Sequence, residues 1–503
     1  LCVVDDLMPE VFDLAVIGGG VNGAGIARDA AGRGMRVLLA EKDDLASHTS
    51  SASTKLIHGG LRYLEQYEFR LVREGLRERE VLLANAPHII WPLRFVLPHE
   101  PSMRPRWMLK AGLFLYDRLG GQARSLPASH AVDLRKPPHR AILQERLTHG
   151  FEYSDCWVED ARLVVLTALD AEERGATIRT RTECTALERL PDRWRATLRS
   201  AAGEETVEAR ALVNAAGPFV DAVARLAFGQ GTPAHLRLVK GSHIVIRRAY
   251  PGEHAYIFQQ ADGRIVFAIP YERDFTLVGT TDVRFAGDLD RVAISAEESD
   301  YLRGAASLYF RSAIAADEIV HSYAGVRPLY EDSSRRNSTV TRDYQFELDT
   351  HGGAPALSVY GGKLTTYRKL AEHALARLGK VMPVPGADWT AAAPLPGGDM
   401  DQGFAAFLWD ASARWPWLPG ELLQRLARAY GTRMAGLIGN AGSLGDLGQH
   451  LGGGVYEAEL AYAVEHEFAR CAEDFLWRRS KLALHLPPEA IAAVEGWFAR
   501  RFA

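Results

Sequence analysis

Residues 12–23 read FDLAVIGGGVNG, a short run of strand formers that breaks into glycines spaced Gly18-x-Gly20-x-x-Gly23. The apolar run predicts a buried strand, and the small residues after it, GAGIARDAAGRG, predict a helix packed tightly on a sheet. MRVLLAEKDD then predicts a second buried strand, closing a βαβ unit of roughly 30 residues. Within that unit Gly18 permits the tight turn, Gly20 lets a pyrophosphate approach the backbone, and Gly23 lets helix and strand pack closely. The helix N-terminus offers unpaired N–H groups and about half a positive charge to a diphosphate. Glu41 ends the second strand 18 residues after Gly23, placed to accept ribose hydroxyls and to repel a 2′-phosphate. Glycines alone would predict only a turn; with strand, helix and acid in place they predict a dinucleotide site.

The segment after this unit decides between NAD and FAD. An NAD domain usually continues into further βα repeats, but in this chain the polar run TSSASTKLIHGGLRYLE (49–65) comes next. Its small hydroxyls, among them Ser50 and Ser51, together with Lys55, suit the ribityl and pyrophosphate portions of an extended cofactor, and His58 suits flavin contact. Far downstream, Gly361-Gly362 stands between the strand LSVY and the helix LTTYRKLAEHALARL. A helix N-terminus there suits the N1/C2 edge of a flavin and its anionic reduced ring. The reading is FAD.

Other strand-to-glycine patterns lie far from the first, at ARALVNAAGPFV (209–220) and PALSVYGG (355–362), so the binding domain is expected to be assembled from separated segments. Between them SHIVIRR, RIVFAIPY and FTLVGTTDV predict an inserted antiparallel sheet. The expected segments are about 12–90, 150–230 and 320–385 for the cofactor, and about 91–149 and 231–319 for the substrate or cap. A Pro/Gly/Ala-rich linker over 386–400 and a C-terminal helical domain over 401–503 complete the division.

Bulk properties fit this reading. At 503 residues the chain exceeds one core, and a formal net charge of −4 argues against a nucleic-acid binder. The four cysteines form no CxxC pair, so neither a metal site nor a disulfide framework is expected. No signal peptide and no apolar run of about 18 residues is evident. LCVVDDL, before Met8-Pro9, reads as an upstream extension. Residues 101–140 carry eight basic side chains against two acids. Within them RPRWMLKAGLFLYDRL (104–119) predicts a helix with Trp107, Met108, Ala111, Phe114, Leu115 and Leu119 near one side, flanked by Arg104, Arg106, Lys110 and Arg118. That pattern suits either a core-facing helix or one lying on an anionic lipid surface.

DLAVIGGGVNGAGIARDAAGRG, TSSASTKLIHGGLRYLEQYEFRLV, GFEYSDCWVEDARLV, LVKGSHIV, GTTDV, GVRPL, TRDY and YGGKLTTYRKLAEHAL together resemble the FAD-dependent sn-glycerol-3-phosphate dehydrogenases of the bacterial respiratory type, in the family's order over about residues 12–400. The resemblance implies a mixed α/β fold. It would hold a Rossmann-like FAD domain of the glutathione-reductase/D-amino-acid-oxidase type, an inserted antiparallel β substrate domain and a C-terminal helical domain. It implies oxidation of glycerol 3-phosphate to dihydroxyacetone phosphate by hydride transfer to flavin N5, with electrons passing to membrane quinone. It also favours the lipid-facing reading of 104–119, a cytoplasmic enzyme held peripherally on the inner face of the cytoplasmic membrane, and allows a homodimer. The cofactor set is then Gly18, Gly20, Asn22, Gly23, Glu41, Ser50, Ser51, Lys55, His58, Gly217, Gly361, Gly362, Lys363, Leu364 and Thr365. Arg327 and Arg342 match phosphate-binding positions on expected loops, and Arg62, Tyr63 and Lys363 join them at the substrate. His243 in KGSHIVI is the first choice for the base that takes the C2-hydroxyl proton, with His58 second. An O₂-using glycerol-3-phosphate oxidase would bring an extra insertion, which is not evident. An amino-acid oxidase would need a carboxylate site, and a non-catalytic flavin module would not need His243, Arg327 and Arg342 together.

Overall fold

The computed structural model describes residues 11–101, 103–121, 125–331, 340–341 and 343–502. The first apolar run is strand Val11–Ile17, paired in parallel with Val37–Ala40 on one side and Gly203–Asn214 on the other. Thr177–Arg179 and Ala356–Tyr360 extend the parallel core, and Gln345–Asp349 closes one edge antiparallel. Strands covered on both faces need no alternation, which is why VLLA (37–40) and ALV (211–213) are apolar without a break. Helix Val21–Gly32 packs on this sheet beside helices Asp160–Glu173 and Tyr367–Leu378. The glycine pattern is required by space: a methyl group on Gly23 would lie 1.9 Å from the carbonyl oxygen of Gly18, and Gly18 has φ +111°.

The expected antiparallel strands are Leu236–Arg247, Ile265–Tyr271 and Phe275–Gly279, within a sheet of 11 strands. Across that sheet come Val340–Thr341, Ile319–Glu331, Leu236–Arg247, Phe275–Gly279, Ile265–Tyr271, Ala255–Gln259, Ile90–His99, His149–Val158 and Leu56–Ile57. Only the pairing of Ala255–Gln259 with Ile90–His99 is parallel among those described. Alternation sorts the residues of SHIVIRR. Ile244 and Ile246 join Leu302 and Ala305 of helix Ala296–Ser307, and Ser242 Oγ donates to Glu298 Oε1 of that helix at 2.9 Å. Gly241, His243 and Val245 therefore point to the other face.

Residues 386–400 are tied down along the first helix. Trp389 Nε1–H donates to the Asp29 carbonyl at 3.2 Å, and Arg28 Nη2–H donates to the Ala393 carbonyl at 3.0 Å. Beyond them the expected helices are Gly403–Arg414, Gly420–Tyr430, Met434–Ile438, Glu457–His466 and Pro488–Arg501, joined by a small hairpin (His450–Gly452, Val455–Tyr456). A single π-helical turn, Asp474–Arg479, faces the sheet domains.

Candidate functional site

A cavity of about 680 Å³ runs between the two sheets, from Glu41 at one end to Arg327 at the other. At its first end Glu41 is buried, and its carboxylate accepts from the Gly19 N–H (Oε2, 2.6 Å) and the Asp43 N–H (Oε1, 2.9 Å). Burial raises its carboxyl above the ordinary value, and those two N–H groups offset part of the rise. Gly18, Gly20 and Gly217 border the middle of the trough, where Ser50 Oγ accepts the Val21 N–H at 3.1 Å. Asn22 spans the trough's floor. Its Nδ2–H donates to the Gly361 carbonyl at 3.0 Å, while its buried Oδ1 has no partner among the described residues. Gly361 and Gly362, both at positive φ, and then Lys363, Leu364 and Thr365 form the opposite wall, followed by helix Tyr367–Leu378. His58 joins that wall through its N–H, which donates to Thr365 Oγ1 at 3.2 Å. Burial first, then the Lys363 and Arg79 charges, hold the His58 imidazole down to about 4.

Not every residue of the hydroxyl run faces the cavity. Thr49, Ser50, Ser53 and Thr54 do, whereas Ser51 Oγ turns back to the His48 carbonyl at 3.3 Å. The Lys55 side chain is buried away from the trough, its Nζ 2.7 Å from Asp160 Oδ1 and 3.0 Å from the Ser51 carbonyl. It braces the run from behind. Gly23 likewise sets helix packing.

The far end is built on the larger sheet. His243 and Arg327 share a face of two paired strands, in the registers His243↔Tyr323 and Val239↔Arg327. Arg327 thus stands inside strand Ile319–Glu331, not on a loop as its Gly-x-x-Pro flanks suggested. The His243 ring stacks on Tyr323 (centroids 4.8 Å, 19°), and its Nε2 is hydrogen bonded to Thr54 Oγ1 at 3.0 Å. Burial, then the Arg327 and Lys55 charges, hold this imidazole well below the usual histidine range, so it is neutral at pH 7. Arg327 Nη2–H donates to Thr280 Oγ1 at 3.2 Å and the Thr281 carbonyl at 3.4 Å, and Nη1 lies 3.5 Å from Asp282. Arg62 and Tyr63 border the same end, with Lys363 Nζ 4.1 Å from the centre of the Tyr63 ring. Arg342 lies outside the described residues.

Thr54, Tyr323, Thr280 and Thr281 were missed from the sequence. Tyr323, Gly325 and Arg327 sit two apart, so strand alternation in SYAGVRP held the signal for Tyr323. Thr54 lay inside the hydroxyl run, with nothing local to mark it as the histidine's partner.

The trough fits FAD. A buried acid waits at the ribose end, a glycine turn at a helix N-terminus stands where a diphosphate belongs, and Asn22 Oδ1 offers an unpartnered acceptor further along. Comparison with known proteins agrees. The family model described as FAD dependent oxidoreductase matches residues 13–368, and that of the C-terminal domain of alpha-glycerophosphate oxidase matches 389–499. The glycerol-3-phosphate dehydrogenase of Pseudomonas aeruginosa is 54% identical over 483 residues, covering 96% of this chain and 94% of that one. The D-erythritol 1-phosphate dehydrogenase of Brucella abortus is 50% identical over 493 residues, covering 97% and 98%. The crystal structure of the glycerol-3-phosphate dehydrogenase from Bacillus halodurans complexed with FAD superposes with a TM-score of 0.78 at 29% identity, covering 98% of this chain and 91% of that one. The chain belongs to the family of FAD dependent oxidoreductases.

Proposed function

We propose that the protein oxidises sn-glycerol 3-phosphate to dihydroxyacetone phosphate and passes the electrons to a membrane quinone. The observation that carries this reading is the pairing of a neutral buried histidine with an arginine on one cavity-facing sheet surface, at the end of the trough away from Glu41. The proposed base is His243, which takes the proton of the C2 hydroxyl as the carbonyl forms. FAD, when bound, supplies the two-electron acceptor for the C2 hydride. Arg327 and Arg62 are the proposed phosphate ligands, with Arg342 a third. Arg327 holds Thr280, Thr281 and Asp282 at 3.2–3.5 Å. A phosphate oxygen would replace such long contacts with charge-assisted bonds of about 1.5–3 kcal/mol each. Lys363 and Tyr63 are proposed to orient the substrate oxygens.

A second substrate is favoured by a specific observation, since the 50% identical relative is a D-erythritol 1-phosphate dehydrogenase. Both substrates present a phosphate ester and a secondary alcohol, and the site chemistry above serves either. Anaerobic titration separates them: glycerol 3-phosphate is expected to bleach the flavin more readily than D-erythritol 1-phosphate. A flavin that stays oxidised with both sinks the proposal. Adding quinone or air after reduction then distinguishes dehydrogenase from oxidase.

The membrane side rests on helix Arg106–Leu119. It buries Leu113 and Tyr116, while Trp107 (69% exposed), Met108, Phe114 and Leu115 face outward among Arg106, Lys110 and Arg118. Leu119, expected on the outer side, instead packs partly against the core of the larger sheet. No helix among the described residues is long and apolar enough to cross a membrane. We assign this face to peripheral contact with anionic lipid on the inner side of the cytoplasmic membrane.

A further inference from the structure

The C-terminal domain has no part in the site described so far, yet its π-helical turn Asp474–Arg479 reaches the loop that carries Glu41. Asp44, three residues beyond Glu41, is 2% exposed. Arg478 Nε–H donates to its Oδ2 at 2.6 Å, Arg479 Nη2–H donates to its Oδ1 at 2.8 Å, and Arg479 Nη1 adds a further bond. Arg479 is itself anchored, its Nε–H donating to the Glu467 carbonyl at 2.8 Å. Asp474 of the same turn takes Arg478 Nη2 at 2.6 Å and Arg181 Nη2 at 2.8 Å. The backbone of Arg181 then donates to the Asp43 carbonyl at 2.7 Å, and Thr182 N–H donates to the Glu41 carbonyl at 2.7 Å.

The turn therefore grips the loop directly at Asp44 and indirectly at Asp43 and Glu41. That loop supplies Glu41, Lys42, Ala46, Ser47 and His48 to the cavity wall. A loop ordered in advance spares the ligand the entropy of ordering it, so affinity depends on whatever fixes the loop. We infer that the C-terminal domain is a cofactor-retention device, in which Arg478 and Arg479 act as positioning residues that hold the 41–48 loop in its FAD-binding form through Asp44. The inference rests on the family's cofactor, not on the substrate assignment.

The test uses the purified holoenzyme. Arg479→Gln and Asp44→Asn are compared with Arg425→Gln, which breaks the partly buried Arg425–Glu459 pair inside the C-terminal domain without touching the loop. The readouts are FAD per chain after gel filtration, the rate of FAD release from the rise in flavin fluorescence, and thermal midpoint. Release is expected to be about tenfold faster or more in the loop variants than in Arg425→Gln at a comparable midpoint. Saturating FAD should restore the rate of flavin reduction, and Arg479→Lys should fall between Gln and wild type. Equal release in all variants would overturn the inference and leave the turn a domain contact only. Should Arg479→Gln yield no folded protein, the isosteric Asp44→Asn decides by the same readouts.

Discussion

At the imidazole of His243, cross-strand register sets what the ring can do. Gly279 is its partner on strand Phe275–Gly279, and a methyl group there would lie 2.0 Å from His243 Cδ2. Gly279→Ala is therefore expected to push the ring off Thr54 and slow anaerobic flavin reduction about tenfold or more, with FAD content unchanged. His243→Asn should cost about 10²–10⁴-fold in the same stopped-flow measurement, the usual worth of a positioned base. A reduction rate that withstands His243→Asn would move the proton to His58. Glu41 was legible in the sequence because strand, glycines and acid fall within 30 residues. The Thr54–His243 bond was not, because it joins residues 189 apart in the chain and only the folded sheet brings them together.

Among the elements, the Asp474–Arg479 turn also reaches strand Ile319–Glu331, which carries Tyr323 and Arg327. Trp477 stacks on His321 (4.2 Å, 21°), two residues from the Tyr323 that stacks on His243. Trp477→Ala is expected to lower unfolding free energy by about 1–3 kcal/mol and to slow flavin reduction severalfold while FAD is retained. Denaturant midpoints and reduction rates check both halves of that expectation, and loss of FAD instead would merge this contact with the Asp44 clamp. Helix Arg106–Leu119 gives the second element-level prediction. Replacing Trp107 and Phe114 by Ser removes apolar side chains worth about 1.5–3 kcal/mol each when fully buried, so co-sedimentation with anionic vesicles should fall more than tenfold. Unchanged sedimentation would remove lipid from the reading. The helix and, but for Leu119, its apolar side were legible from periodicity, whereas whether that side faces a core or outward was not. That depends on Tyr116, whose hydroxyl donates to Asp155 at 2.8 Å and accepts the Gly59 N–H at 2.9 Å, pinning one face inward.

Over the whole molecule, histidines held neutral by the fold weaken it toward acid pH. Burial holds His58 down to about 4 and His88 to about 3, against an ordinary value of 6.5. Above pH 6.5 these groups are neutral whether folded or not, and their effect is constant. Below it the unfolded chain binds protons that the folded one refuses, so stability falls from pH 6.5 toward those lower values. The slope is up to about 1.4 kcal/mol per pH unit per histidine, measurable as urea midpoints between pH 7 and pH 4.5. A flat profile would mean that the imidazoles are solvated after all. The βαβ start and the alternating strands were readable because each is local. The order of strands was not, since Val11–Ile17 sits beside Gly203–Asn214, which in turn pairs with Ala356–Tyr360.

That strand order has a consequence for synthesis on the ribosome. The loop after Glu41 leaves the exit tunnel some 430 residues ahead of the Arg478–Arg479 pair that grips Asp44. At about 5–20 residues per second, the nascent chain spends tens of seconds with half a nucleotide trough and no latch. Firm retention of FAD therefore waits for the Asp474–Arg479 turn, and a ribosome stalled before Asp474 would hold a polypeptide that releases its cofactor faster than the latched one.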